Sequence, residues 1–182
     1  MDNNNEKTKY HAAEQFCAAA EKEYEYERSR NATLDNKINM TLAFCGVVFA
    51  FLLDYLDIQS LVGDSHTCTT SPCLECSLRF VCIISRVLCV VLFAVCIYKL
   101  FLALKPRTYH YLDTNYLLDK KIDEVEPLQA YMYIGSKYTE LTNLNCKANE
   151  ERAGLYLKSI YCLLGSIAFC AISQAIEVNF LV

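Results

Sequence analysis

The chain has 182 residues and a formal net charge of −4, and 54% of its residues are hydrophobic. Its mean hydropathy of +0.16 is high for a soluble domain and favours a membrane protein. Lys and Arg residues of the polar parts are interleaved with Asp and Glu, so we expect no basic face and no nucleic-acid partner.

Residues 1–37 are predicted to form a cytoplasmic helix. The stretch HAAEQFCAAAEKEYEYERSRNATLDNK contains strong helix formers, no Gly or Pro, and Glu/Lys/Arg pairs at helical spacing. Its polarity does not fit the short apolar core of a cleavable signal peptide, so we expect none. The helix is therefore expected to continue directly into the first apolar run.

Three apolar runs are long enough to cross a bilayer, which needs about 20 helical residues. The first span is predicted at 38–58, and the second at 78–104, where Arg79 and Lys99 lie near the ends and can snorkel. The third, at 159–178, carries no charge between Lys158 and Glu177. An interfacial helix, or one packed on the hairpin of the first two spans, is the alternative for this short third run.

The Lys and Arg residues of the flanking segments predict the orientation. They occur throughout residues 1–37 and 105–158, whereas the loop 59–77 contains none. The N-terminus and residues 105–158 are therefore predicted to be cytoplasmic, and the loop and the tail at 179–182 to lie outside. Pro106 breaks the helix after the second span, and Pro127 separates two further predicted cytoplasmic helices, the second leading into the third span.

Two charged residues inside the first two spans form a candidate intramembrane ion pair. Asp54 lies near the end of the first span and Arg86 lies in the antiparallel second span, at a similar predicted depth in the outer part of the bilayer. A lone charge within a span is unfavourable, so pairing is one outcome; snorkelling of each side chain toward the headgroups is the other.

The sequence predicts no catalytic residues, because its three His lie far apart and it has neither a Gly-rich phosphate loop nor a nucleophile elbow. The outer loop has potential metal ligands at His66, Cys68, Cys73 and Cys76. A disulfide or free thiols are the alternatives, and we expect the oxidising outer face to favour the disulfide over a metal. No cofactor is predicted.

Two further patterns concern side-chain packing. Cys82, Cys89 and Cys96 recur every seven residues, which favours a stripe of small residues at a helix–helix seam over redox chemistry. Several Tyr residues between 109 and 138 indicate helix–helix packing in the cytoplasmic region; stacking on a nucleobase is the less favoured alternative.

A cytoplasmic helix ending in LDNKINMTL, a two-span hairpin, and a helical segment with SKYTEL before a third span resemble small bacterial membrane effectors of antiphage signalling. The chain is most similar to the Pycsar transmembrane effectors and more loosely to the two-span SLATT proteins. The first group often has Asp-x-Lys-Ala where its first span begins; here Asp35, Asn36 and Lys37 match and Ile38 replaces the Ala. The resemblance implies a protein that stays inactive until a nucleotide messenger or phage cue arrives, and then assembles and impairs the inner membrane.

Together these observations predict an all-α membrane protein with three transmembrane helices and cytoplasmic helical extensions, multi-pass in the cell membrane. Its partners would be the lipid bilayer, further copies of itself as a homo-oligomer, and a cyclic nucleotide ligand. A membrane thiol–disulfide oxidoreductase using Cys68, Cys73 and Cys76, or a scaffold subunit of a membrane complex, is the alternative function.

Overall fold

The computed structural model of the chain describes residues 12–55, 72–105 and 109–181. About 92% of these residues are helical, and the described ranges contain no strand. The predicted all-α fold class is confirmed.

The described residues form three long helices and one short helix. Helix α1 covers Ala13–Tyr55, α2 covers Pro72–Leu104, α3 covers Thr114–Asp119 and α4 covers Pro127–Ile176. A 3-10 turn at Ile122–Glu124 precedes α4, and a π-helical turn at Glu177–Leu181 follows it. Helix α4 begins at Pro127 because proline is well suited to a first helical turn, where its missing N–H would have no intrahelical acceptor.

Each long helix is long and apolar enough to cross a membrane. The candidate spans lie within Ala13–Leu53, Ser77–Leu104 and Pro127–Asn179. Helices α1 and α4 also extend well beyond membrane length on their N-terminal sides, with 43 and 50 residues. These extensions are the polar segments that the sequence predicts to be cytoplasmic helices.

Side-chain burial in α1 and α4 follows a heptad repeat. All of their buried positions, together with one set of half-buried positions, recur at alternating spacings of three and four residues, the 3.5-residue period of packed helices. In α1 these positions are Ala13, Cys17, Ala20, Tyr24, Glu27, Asn31, Leu34, Ile38, Thr41, Cys45, Val48 and Leu52. In α4 they are Gly135, Tyr138, Thr142, Asn145, Asn149, Arg152, Tyr156, Ser159, Leu163, Ser166, Cys170 and Ser173.

The chain divides into two compact units. Unit 1 comprises Met1–Asp35 and Pro106–Arg152, and unit 2 comprises Asn36–Lys105 and Ala153–Val182. In unit 1 the two long helices run parallel, since Phe16 lies against Gly135 and Glu27 contacts Asn149. A Cβ at Gly135 would lie 2.7 Å from Cε1 of Phe16, so the close approach of these helices requires glycine there.

Unit 2 has its apolar side chains on the outside. Large hydrophobic residues such as Phe51, Phe80 and Leu164 are exposed, whereas buried positions include Cys82, Ser166 and other small residues. In water this arrangement would be unfavourable, because exposed apolar area is destabilising. It is the arrangement expected of helices surrounded by lipid, where packing of small residues and interhelical hydrogen bonds hold the helices together.

Candidate functional site

A seam of short polar side chains joins α2 and α4 in unit 2. Cys89 Sγ lies 3.3 Å from Ser166 Oγ, and Ser85 Oγ donates a hydrogen bond of 2.9 Å to the Phe169 carbonyl. Cys82 Sγ lies 3.9 Å from the carbonyl oxygen of Ser173. From one contact to the next, the residue number rises along α2 and falls along α4, so the two helices are antiparallel. We call Cys82, Ser85, Cys89, Ser166 and Ser173 the polar seam.

The predicted cysteine stripe belongs to this packing. Cys82, Cys89 and Cys96 are free thiols with relative exposures of 0 to 1%. The serines opposite them, Ser166 and Ser173, are equally buried and also lie seven residues apart. Matching seven-residue spacings on both helices bring small side chains together at successive turns, as the sequence predicts for the cysteines.

Gly165 allows α2 and α4 to approach closely beside the seam. A Cβ added at this residue would lie 3.2 Å from Cδ1 of Leu92, closer than ordinary van der Waals contact. At Gly46 and Gly154 an added Cβ would meet no atom within 4 Å. Among the described glycines of unit 2, Gly165 is therefore the one at which a larger side chain would disturb the helix contact.

Arg86 lies buried within unit 2, beside the polar seam. It is 5% exposed, and its Nη2 donates a hydrogen bond of 2.6 Å to Glu177 Oε2. The Glu177 side chain is 26% exposed and follows Ile176, the last residue of α4. The ion pair thus joins a buried cation on α2 to a carboxylate at the end of the third apolar helix.

Asp54, the predicted partner of Arg86, has a side chain outside the described residues, so the Asp54–Arg86 pair stays a prediction. Among the loop ligands, His66 and Cys68 also lie outside the described ranges. The backbone at Cys73 and Cys76 is part of α2, which begins at Pro72, but their side chains are outside the description as well. The described residues contain no group of three His, Cys, Asp or Glu that could hold a metal.

Unit 1 contains a buried polar network between α1 and α4. Asn149 Nδ2 donates hydrogen bonds to the Glu27 carbonyl at 3.1 Å and to Glu27 Oε2 at 2.9 Å. The Glu27 carboxylate also pairs with Arg30 at 3.1 Å, and this hydrogen bond raises the pKa of the guanidinium. Glu27 is 7% exposed and Asn149 1%, so the network replaces water around a buried carboxylate.

A second buried arginine lies one helical turn along α4. Arg152 donates hydrogen bonds to the side chains of both Asn31 and Asp35 on α1. Asp35 is the first residue of the Asp-Asn-Lys motif on which the family resemblance partly depends. Its partner Arg152 gives that aspartate a structural role, the pairing of α1 with α4 in unit 1.

The tyrosines of unit 1 stack on one another. The Tyr24 ring centroid lies 5.4 Å from that of Tyr138 and 6.4 Å from that of Tyr109. Burial raises the pKa of both the Tyr109 and Tyr138 hydroxyls. These contacts support the packing interpretation of the aromatic region over stacking on a nucleobase.

Several of these residues were not predicted from the sequence. Glu177 was expected only at the border of the third span, and no role was predicted for Glu27, Asn149 or Arg152 individually. The available signal was spacing: Asn145, Asn149 and Arg152 follow one another at four and three residues, and Ser159, Ser166 and Ser173 at seven. Polar residues at core positions of a heptad conceal the repeat from a search for apolar periodicity.

Comparisons with known proteins found no relative. No family model, no curated protein and no solved structure matches this chain.

Proposed function

We propose that this protein is a bacterial membrane effector of antiphage defence, which impairs the integrity of the inner membrane when a nucleotide messenger activates it. The observation that carries the proposal is the polar interior of unit 2, where Arg86 and the polar seam lie beneath an apolar exterior. The Asp35-Asn36-Lys37 motif adds the resemblance to the Pycsar transmembrane effectors.

A buried cation is not needed in a passive membrane anchor. Charged residues within membrane helices are unfavourable, and they commonly mark ion pathways or conformational switches. The Arg86–Glu177 pair and the polar seam are therefore better explained by helices that change their association than by helices that only hold the chain in the bilayer. In that change, thiol and hydroxyl groups of the seam would become accessible to water.

Unit 1 would sense the activating signal. Its helices are joined by hydrogen bonds between polar side chains, such as Asn149 to Glu27 and Arg152 to Asp35. A ligand that binds one arrangement of these helices more tightly than another would shift the population toward it. The distribution of Lys and Arg supports a cytoplasmic N-terminus, where a cyclic nucleotide is accessible.

The active form would be a homo-oligomer in the cell membrane. Exposed hydrophobic faces on α1, α2 and α4 contact lipid in a single copy and are available for contact with further copies.

Expression of the protein in a bacterial host, alone and with candidate cyclic nucleotide synthases, tests the proposal. We expect depolarisation of the inner membrane, followed with a potential-sensitive dye, and growth arrest before lysis. Gly165→Leu should abolish this effect while the protein still inserts, because leucine would collide with Leu92. Gly46→Leu is the matched control and should keep the effect, since an added Cβ there meets open space.

A variant in which Cys68, Cys73 and Cys76 are all serine distinguishes the oxidoreductase alternative. The effector proposal predicts that its membrane phenotype persists, whereas thiol–disulfide chemistry in the outer loop requires those residues. If arrested cells keep a normal membrane potential, or high expression is harmless with every synthase tested, a scaffold subunit becomes the better account.

A further inference from the structure

We infer that the lysines at one end of unit 2 form a binding surface for the phosphate groups of anionic phospholipids. These residues, which we call the lysine band, are Lys37, Lys99, Lys105 and Lys158. Three of them are exposed, and Lys99 is half-buried. The inference is independent of the proposed effector function, because it concerns which lipids surround the helices and not what the protein does to the membrane.

Lys99 and Lys158, the inner pair of the band, lie at nearly the same height on α2 and α4. The antiparallel contact between Cys89 and Ser166 defines the register of these helices. Ten residues beyond Cys89 along α2 lies Lys99. Ten residues before Ser166 along α4 lies Tyr156, two residues from Lys158. At about 1.5 Å per residue, the two lysines therefore differ in height by roughly 3 Å.

Helices α1 and α2 are also antiparallel within unit 2. The rings of Phe49 and Phe93 stack with their centroids 6.0 Å apart. One turn earlier on α1, the thiol of Cys45 interacts with that of Cys96, which lies one turn later on α2. A step forward along α2 therefore corresponds to a step back along α1.

Lys37 and Lys105, the outer pair of the band, share a height in this register. Lys37 lies twelve residues before Phe49, and Lys105 lies twelve residues after Phe93. Lys105 is also six residues beyond Lys99. The outer pair therefore lies roughly 9 Å farther from the middle of the span than the inner pair.

The inner pair lies about one bilayer thickness from the opposite end of α2. From Ser77, where the candidate span begins, to Lys99 there are 22 residues, or roughly 33 Å of helix. The hydrocarbon core of a bilayer is about 30 Å thick, which puts the inner pair at its edge and the outer pair among the headgroups. Tyr98 and Tyr161, which lie close to this height, are 61% and 65% exposed, as expected for interfacial tyrosines.

The lysine band has no acidic residue in its own parts of the chain. The segments 36–53, 78–105 and 153–176 contain neither Asp nor Glu. Asp35, which directly precedes the first of them, pairs with Arg152. No salt bridge among the described residues involves a lysine of the band. The anions available to these ammonium groups at the edge of a bilayer are therefore lipid phosphates, and lipids with a net negative charge attract them most.

The test uses the full-length protein in phosphatidylcholine vesicles that contain a trace of lipid with a spin label on its acyl chain. Electron paramagnetic resonance measures the fraction of labelled lipid that the protein immobilises, for phosphatidylglycerol and for phosphatidylcholine separately. At low salt we expect phosphatidylglycerol to be preferred roughly fivefold, the ratio that one lysine near a bilayer surface produces. The ratio should fall as salt screens the charges. Equal immobilisation of the two lipids at low salt would overturn the inference.

Variants assign the preference to the lysine band. Lys99→Gln combined with Lys158→Gln should lower it at least twofold, and glutamine at all four positions should remove most of it. Four arginines should retain it, because they keep the charge. The matched control combines Lys22→Gln with Lys147→Gln, two exposed lysines of unit 1, and should leave the preference unchanged. A full preference in the fourfold glutamine variant would contradict the inference; if that variant does not fold, the double variant and the salt series decide.

Free glycerol phosphate distinguishes a lipid surface from a site for soluble phosphate. It carries the phosphate ester without acyl chains, so it should reduce the preference no more than sodium chloride of equal ionic strength does. A larger reduction would assign the lysines to a soluble ligand and overturn the inference. None of these outcomes bears on the effector proposal, which fails only if expression in cells leaves the membrane potential unchanged.

Discussion

Asn145 binds the backbone of His110 through both ends of its side-chain amide. Its Oδ1 accepts a hydrogen bond from the His110 N–H at 3.0 Å, and its Nδ2 donates to the His110 carbonyl at 2.9 Å. Asn145 is 1% exposed on α4, whereas His110 lies in the irregular segment before α3. The buried amide therefore attaches this segment of unit 1 to α4, and the Tyr24 hydroxyl also donates to the His110 carbonyl at 3.3 Å.

Replacing Asn145 with alanine should loosen that segment. Because His110 is exposed and its backbone can bind water instead, we expect a loss of about 1 to 2 kcal/mol in unfolding free energy. Limited proteolysis should cut the chain faster near His110. The control is Asn143→Ala, an exposed position on the same helix, which should leave both stability and proteolysis unchanged.

Glu27 and Asn149 should show strong energetic coupling. Asn149→Leu leaves the buried carboxylate without one hydrogen-bond donor. Glu27→Leu removes the side-chain acceptor of Asn149 and leaves only the backbone carbonyl of residue 27, so each change should cost about 1 to 3 kcal/mol. The double leucine variant should recover most of that loss, because a packed apolar pair often replaces a buried polar pair without penalty. Thermal unfolding in detergent measures the cycle; additive losses would contradict the contact.

Arg152 should resist conservative replacement. Lysine keeps the charge but cannot donate to Asn31 and Asp35 with two nitrogens of one planar group. We expect Arg152→Lys to lose about 1 to 2 kcal/mol, a reduced value since the Asp35 side chain is 41% exposed. Lys147→Arg, a cation swap at an exposed site of α4, is the control for the general effect of such a swap.

Thiol labelling tests the orientation. A reagent that cannot cross membranes should modify Cys68, Cys73 or Cys76 in intact spheroplasts, after reduction if they form a disulfide. Cys146 should react only after the cells are permeabilised, and labelling of Cys146 from outside would reverse the predicted topology. Cys17 is 8% exposed, so its protection would not distinguish the two sides.

The rate of Cys146 labelling should increase with pH above neutrality. Burial raises the pKa of this thiol, and the carboxylates of Glu27 and Glu150 act in the same direction. Because the thiolate is the reactive form, a raised pKa leaves little of it at neutral pH. Glu150→Gln should speed the reaction at a given pH, and an unchanged rate would show that Glu150 has no influence on the thiol.

The fold class was predictable because a membrane-spanning helix needs a long apolar stretch, which can be identified directly in the sequence. Long apolar runs, a helical polar segment before the first run and Pro127 at the start of α4 follow from hydropathy and backbone sterics alone. Each of these features depends on local sequence. The cysteine stripe was also predicted correctly, because Cys82 and Cys89 lie between α2 and α4.

The partners of the polar residues were not predictable in the same way. Arg86 on α2 contacts Glu177, which lies 91 residues later in the chain. Arg152 on α4 contacts Asp35 on α1. Hydropathy describes each residue separately, whereas these contacts depend on which helix faces pack together. The spacing of Asn145, Asn149 and Arg152 indicates that these residues share one face of α4, but it does not identify the residues that they contact.

Because the heptad repeat of buried positions continues along α4, insertions in this helix should be tolerated only at certain lengths. One residue inserted between Arg152 and Ser159 would turn everything beyond it by about 100°, since a helical turn contains 3.6 residues. Ser159, Ser166 and Ser173 would then lose the phase that they share with Asn145 and Asn149, and would face a different side of the helix. An insertion of seven residues would restore this phase, so tolerance of insertions in α4 should be periodic rather than graded.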